Sequence, residues 1–272
     1  MRIVICAKEV LDPDAVNAYA VAGRLQVGED GRTLTSAGIP VLMNAYDEQA
    51  IEAALRLRDG GLTCTITVIT VGAASTSFLR RAAALGADEM IVIPSGEVVL
   101  DTLATAVVLG RSIESSGGAD LVFCGRQASD DDQGVVPAVL GERLGMPVIT
   151  MARDIRLADA AGEGVIEVTR VTPDGDEEVR CALPAVVTVS NELGTPRYPS
   201  GAAMLAARRK QAVIVPLAEL GLGEEELAPR VELRRLFVPQ LQGTCEFLTG
   251  ETAQEQAVLL LTRLRADGLL PA

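Results

Sequence analysis

Histidine is absent from the sequence. A Ser-His-Asp triad, a Cys-His dyad, an HExxH metal site and an imidazole proton relay therefore cannot come from this chain. Tryptophan is also absent and aromatic residues make up only 3 %, too few for the stacking platforms that hold single-stranded nucleic acid. Basic residues are scarce beside acidic ones, 24 against 37, for a net charge of −13. That balance excludes the basic footprint of a phosphate-backbone binder, but not a single nucleotide held by backbone amides. The five cysteines, Cys6, Cys64, Cys124, Cys181 and Cys245, include no CxxC pair. An odd count without metal spacing reads as free thiols, mostly small buried residues, in a reducing compartment. No apolar run approaches the roughly 18 residues of a membrane span. The opening MRIVICAKEV enters a strand without the long apolar region and cleavage site of a signal peptide, so the chain is expected to be cytoplasmic.

What is present is core material. Of 272 residues, 49 % are hydrophobic and 22 % charged, enough for one large folded domain with an appendage. Residues 3–7 are a short continuous apolar run, as in a strand buried on both faces. Residues 11–41 are Gly- and Asp-rich and read as a hairpin or excursion. Asn44 and Asp47 open a helical pattern that Gly60-Gly61 ends. A β-branched strand follows at 63–71, then a helix capped by Ser75 or Thr76 and closed by Gly86. A strand at 90–93, a helix from Asp101 to Ser115, a strand at 120–124, a helix ending near Leu144-Gly145 and a short strand at 147–150 continue the alternation.

Strand and helix alternating with short connections predicts parallel strands joined by right-handed crossovers, a doubly wound, mostly parallel α/β sheet of the Rossmann-like kind. The pattern then changes to a β meander, with strands at 153–157, 165–172 and 177–183 and a hairpin turn at Thr172-Pro173-Asp174-Gly175. An apolar strand returns at 185–189. A helix after Pro199 ends in Arg208-Arg209-Lys210, which suits a helix C-terminus. Arg80-Arg81 reads as a solvated helix face. Residues 217–245 are polar and irregular, and Thr252 or Glu251 opens a last helix with Val258, Leu261 and Leu264 on one face. The expected division is an α/β nucleotide-binding domain over 1–216, with the meander at 151–190 and a docking loop at 191–210, followed by an arm over 217–272.

Ligands of open parallel sheets bind beyond the carboxyl ends of the strands, where the strand order reverses. Three strand ends, Cys6-Ala7, Val71-Gly72 and Cys124-Gly125, and the helix start Asn44-Ala45-Tyr46-Asp47 are expected to meet there. The most distinctive stretch is the loop Gly125-Arg126-Gln127-Ala128-Ser129-Asp130-Asp131-Asp132-Gln133-Gly134 before Val135. Three consecutive carboxylates would repel a phosphate, so they are expected to point away from it, cap backbone N–H groups or accept from a ribose or base edge. Arg126 and the loop amides are expected to supply the attraction. Neither a GxGxxG fingerprint nor a P-loop is present. The acid triplet also raises a magnesium site, against which stands the divergence of adjacent side chains.

These residues together resemble the β subunit of electron transfer flavoprotein over nearly the whole chain. The resemblance is carried by Val4-Ile5-Cys6-Ala7-Lys8, Met43-Asn44 and its helix, Leu85-Gly86-Ala87-Asp88, the Gly125–Asp132 loop, Leu183-Pro184-Ala185-Val186-Val187-Thr188, Pro196-Arg197-Tyr198 and Gly250-Glu251-Thr252. It implies an obligate heterodimer with an α subunit that carries most of the electron-transferring FAD, the arm packing on that partner. It further implies AMP in the β crevice, or, in bifurcating relatives, a second FAD that oxidises NADH. Electrons would pass from dehydrogenases to a quinone reductase or another acceptor. By position, the nucleotide contacts fall on Cys6, Ala7, Asn44, Ala45, Tyr46, Asp47, Val71, Gly72 and on Gly125 through Val135, that is Gly125, Arg126, Gln127, Ala128, Ser129, Asp130, Asp131, Asp132, Gln133, Gly134 and Val135. The chain departs from the family in three places. Its acidic loop continues as Gln133-Gly134-Val135-Val136-Pro137, Ala45 stands where Pro is usual, and Gly201 stands where a Leu anchors dehydrogenase partners. A stand-alone adenine-nucleotide sensor and an ATP-dependent ligase are the competing classes; the second needs a triphosphate cradle that the sequence does not offer.

Overall fold

The computed structural model describes residues 1–35, 38–158, 164–239 and 245–271. In chain order the elements are β1 (Arg2–Cys6), β2 (Glu9–Leu11), α1 (Pro13–Val21), β3 (Gln26–Val27), β4 (Leu34–Thr35), β5 (Val41–Met43), α2 (Ala45–Asp59), β6 (Thr65–Val71), α3 (Thr76–Leu85), β7 (Glu89–Ile93), α4 (Thr102–Ser115) and β8 (Leu121–Gly125). They continue with α5 (Val136–Leu144), β9 (Val148–Leu157), β10 (Val165–Thr172), β11 (Gly175–Ala182), β12 (Ala185–Val189), α6 (Gly201–Ala207), β13 (Val213–Ile214), α7 (Glu224–Leu227) and α8 (Ala253–Ala266).

Nine strands form one sheet in the order β11-β10-β9-β12-β8-β1-β6-β7-β13. The central strands β8 and β12 are buried at every residue, as continuous apolar runs in a sheet covered on both faces must be. Side chains of β1 alternate between two cores. Ile3 and Ile5 pack with Ile51 and Leu55 of α2 and Phe78 of α3, whereas Val4 and Cys6 pack with Val108 and Ile113 of α4 and Leu140 of α5. The pairings from β9 through β12, β8, β1, β6 and β7 to β13 are parallel. Strands β9, β10 and β11 form the antiparallel meander, and charged residues such as Asp176, Glu178 and Arg180 keep the β11 edge from pairing with other chains. From β1 the chain moves outward to β6 and β7, then returns to β8 on the other side of β1. The strand order therefore reverses around β1, the place where an open sheet leaves a crevice.

Helix starts follow the expected caps. The side chains of Ser75, Asp101 and Thr252 accept from the backbone N–H of Phe78, Ala104 and Glu255. Three expectations need correction. The stretch 11–41 contains a true helix, α1, which Asp12 caps and Pro13 begins, besides the small ladders β2-β5 and β3-β4. The strands expected at 147–150 and 153–157 are one strand, β9. Met151 takes a positive φ of 60°, and the register against β12 shifts there, so the apparent break is a bulge. Arg81 is not merely solvated: its guanidinium lies 2.7 Å and 2.8 Å from the two oxygens of Glu48 on α2, and 5.5 Å from the Tyr198 ring centre.

Backbone contacts divide the chain into Met1–Leu236 and Phe237–Ala272. Residues after 216 thus continue in the first unit, where Leu217 and Leu220 are buried against the α4 side of the core. In the second unit α8 has no buried residue, and Val258, Leu259, Leu260 and Leu261 are all exposed. Among the described residues no helix is long and apolar enough to cross a membrane.

Gly141 is where α5 lies closest to β9. A Cβ there would sit 2.1 Å from Val148 Cγ2 and 3.1 Å from Met146 O. Gly141→Ala is expected to destabilise the chain by about 1–3 kcal/mol, outweighing a helix-propensity gain of up to ~1 kcal/mol. Urea unfolding of the two proteins checks it; equal midpoints would mean that α5 can move off β9 at little cost.

Candidate functional site

The site is organised by the first turn of α2. Asn44, its N-cap residue, is buried, and its side chain serves a distant loop rather than its own helix. Asn44 Nδ2 donates to Gln127 O at 2.9 Å, and Asn44 Oδ1 accepts from Ser129 N at 3.3 Å. Three residues on, the buried carboxylate of Asp47 accepts from Lys8 N at 2.8 Å and from Gly125 N at 3.1 Å. One helix turn thereby fixes the chain leaving β1 and the chain leaving β8. Burial pushes the Asp47 carboxyl up to about 7, against the pull of those backbone donors. The tight packing explains the glycine that starts the loop: a Cβ on Gly125 would meet Asp47 Oδ1 at 2.3 Å and Tyr46 Cβ at 2.8 Å.

A cavity of about 170 Å³, open to solvent, lies beyond these strand ends. Of the residues expected to meet there, Cys6, Ala7, Asn44, Asp47, Val71, Gly125, Gln127, Ala128, Asp131, Gln133, Gly134 and Val135 line it. Ala45, Tyr46, Gly72, Arg126, Ser129, Asp130 and Asp132 do not. Lys8, Thr102, Thr105, Leu109, Cys124, Val136 and Pro137 complete the wall. Of these, the two threonines come from the first turn of α4, and Thr102 Oγ1 reaches Gln133 Oε1 at 2.8 Å. Their i, i+3 spacing immediately after the Asp101 cap was the signal available in the sequence. They supply hydroxyls to the wall, which the loop's Ser129 does not line.

Arg126 does not line the cavity because its backbone N–H still pairs with Val189 O of β12 at 2.8 Å, prolonging the β8 ladder. Its charge adds to the Ser190 hydroxyl and backbone bonds that hold the Glu192 carboxyl below its usual value. The cation at the cavity wall is Lys8, whose Nζ lies 2.8 Å from Asp130 and 3.7 Å from Asp131. The three acids diverge: Asp130 meets Lys8, Asp131 accepts from Gln133 N at 3.3 Å, and Asp132 accepts from Gln127 Nε2 at 2.9 Å. Among the described residues no group of three or more His, Cys, Asp or Glu could hold a metal ion.

The start of α5 also faces the cavity. Val135 is its N-cap, and Val135, Val136 and Pro137 all line the wall. The Val135 side chain makes no capping hydrogen bond, Pro137 has no N–H, and Ala138 N donates to Val135 O, so the amides of Val135 and Val136 are the donors that this end offers. A helix N-terminus with unmatched N–H groups carries a positive partial charge of about half a unit and favours an anion. The floor, from Ala7, Val71, Leu109 and the thiols of Cys6 and Cys124, is apolar. The combination suits a flat heteroaromatic ring with a polar, anionic tail.

Comparison with known proteins places this geometry in context. The family profile described as "Electron transfer flavoprotein domain" matches residues 33–220. The caffeyl-CoA reductase-Etf complex subunit CarD of Acetobacterium woodii is 33 % identical over 275 residues, covering 99 % of this chain and all of that one. The electron transfer flavoprotein subunit beta of Thermoanaerobacterium thermosaccharolyticum is 34 % identical over 274 residues, covering 98 % of each chain. That of Mycobacterium leprae is 32 % identical over 201 residues, covering 72 % of this chain and 74 % of its own.

The raised Asp47 carboxyl has a consequence for stability. Unfolding returns it from about 7 to an ordinary 3.8, so between these values the folded state binds more protons than the unfolded one. Stability contributed by the protonated form is complete below about pH 4 and is lost as pH rises to about 7. Asp47→Asn should remove that slope, so that the stability of the variant relative to the parent rises with pH across this window. Urea unfolding of both proteins at intervals of pH checks it, and parallel curves would place the Asp47 carboxyl near its ordinary value.

Proposed function

This chain belongs to the electron transfer flavoprotein family as a β-type subunit, and we propose that its crevice holds the adenine end of a nucleotide cofactor while an α-type partner carries the electron-transferring FAD beside it. The observation that carries the reading is the convergence of the β1, β6 and β8 ends, the 125–134 loop and the uncapped start of α5 on one cavity. The residues fit such a group. The apolar floor of Ala7, Val71 and Leu109 suits a planar ring, and the Lys8 ammonium and the amides of Val135 and Val136 suit phosphate. Asn44 and Asp47 hold the two walls in register and touch the group little.

Flavin supplies the electron chemistry when bound. The task of this chain is to bind, orient and exclude water, which needs no nucleophile and no general base. That division of labour accords with a sequence without histidine. The arm supports the partner reading: α8 exposes Val258 through Leu261 and so offers an apolar surface for an α-type subunit. The loop after β12 is held firmly for a docking role with a dehydrogenase or quinone reductase. Arg197 contacts Glu52 at 2.7 Å and Asp59 at 2.7 Å, while Tyr198 remains 79 % exposed.

A second reading places a second FAD in the crevice, receiving a hydride from NADH in a bifurcating complex. In its favour are the wall continued along α4 by Thr102, Thr105 and Leu109, and the full-length likeness to a subunit named for a reductase-Etf complex. Co-expression with the α-type subunit, followed by acid release and quantification of nucleotides, separates the readings. One FAD and one AMP per heterodimer is the expected result. Two FAD would establish the bifurcating form, and a single FAD with no second nucleotide would remove the crevice from the cofactor sites.

A further inference from the structure

Cys6 and Cys124 end two neighbouring strands. They are direct register partners in the parallel β1-β8 pair, so both side chains project from the same face of the sheet. Neighbouring strands lie about 4.8 Å apart, inside the roughly 4.4–6.8 Å Cα separation that a disulfide spans. Both thiols are free. They are 7 % and 3 % exposed, and that exposure opens onto the cavity, which both line. Neither is needed for the tie between α2 and the loop.

We propose that Cys6 and Cys124 form a redox-active dithiol in the crevice floor, closed to an intrachain disulfide by hydrogen peroxide. The more exposed Cys6 reacts first: its sulfur takes one peroxide oxygen to become a sulfenic acid, and water leaves. The Cys124 sulfur then attacks the Cys6 sulfur, the S–S bond forms, and the hydroxyl departs with the Cys124 proton as a second water. In sum, two thiols and one peroxide give one disulfide and two waters. Burial and the neighbouring thiol hold the Cys124 proton on, so its attack, which needs that proton to leave with the hydroxyl, is the slow step. Access is only through the cavity, so an occupant shields the pair. This shielding rests on the reading of the crevice as a nucleotide site; the disulfide itself does not.

The test uses the full chain with its co-purified partner, reduced, freed of nucleotide and treated with hydrogen peroxide. Remaining thiols are alkylated and peptides mapped by mass. The expected result is a linked pair of Cys6 and Cys124 peptides that dithiothreitol separates and that both Cys6→Ser and Cys124→Ser abolish. Recovery of Cys6 and Cys124 fully alkylated after the exposed Cys245 has been oxidised overturns the proposal, and this measurement on the parent protein needs neither variant to fold. Added AMP at tenfold its Kd should slow formation of the linked pair about tenfold, in proportion to the vacant fraction. A linked pair that forms equally fast with AMP present leaves the dithiol standing and removes the nucleotide from the crevice. AMP binding without any linked pair does the reverse.

Discussion

A buried carboxylate bridging two strand exits is the interaction on which the crevice depends. Asp47 gives up hydration to sit between Lys8 N and Gly125 N, and those two donors are what it gains in exchange. Buried ionisable groups remain tolerable only when their hydrogen-bonding capacity is used. The location in the first turn of α2 adds the favourable end of the helix dipole. The cost of burial still shows in a carboxyl raised to about 7. The same tie leaves no space for a side chain at Gly125, so the residue type at the loop start follows from the interaction rather than from turn chemistry.

Helix α2 carries that constraint across the molecule. Its first turn fixes the crevice walls. Its next turns hold the loop after β12, through Gln49 to Gly194 O at 3.2 Å, through Glu52 to Arg197, and through Arg56 to Leu193 O at 2.7 Å. Glu48 holds Arg81, over which Tyr198 lies. Glu52 is buried, and each of its oxygens accepts from an arginine, the arrangement that makes a buried acid tolerable. The crevice and the exposed loop thus share one rigid support, although they lie at different ends of the helix. A partner docking on the loop would meet a surface whose position is set by the same element that shapes the crevice.

The sequence revealed the parts of this arrangement that depend on local chemistry. The parallel sheet was legible because buried strands read as continuous apolar runs, and helix starts were legible because Ser75, Asp101 and Thr252 are strong caps. The meeting of the β1, β6 and β8 ends with the acidic loop followed from strand order alone. What stayed hidden depends on pairing partners distant in sequence. Arg126 looked like the anion-binding cation, but one more backbone bond to β12 continues the β8 ladder there, and Lys8 lines the wall. Met151 resembled a break because a bulge is defined by the strand opposite. Arg81 seemed solvated because Glu48 and Tyr198 are far away in the chain.

A chain with a net charge of −13 seems a poor host for a phosphate-bearing ligand, but net charge is the wrong quantity here. At physiological ionic strength exposed charges beyond about 8 Å are largely screened. The local field comes from what lines the cavity: the uncapped start of α5, the Lys8 ammonium and the Asp131 carboxylate. Asp131 is partly neutralised by Lys8 and by the Gln133 amide. The attraction therefore rests chiefly on backbone N–H groups, whose positions depend on strand order and on the Asp47 tie rather than on side-chain identity. A site of this kind can persist while most of the surface residues around it change, provided that Asn44, Asp47 and Gly125 keep the two strand exits together.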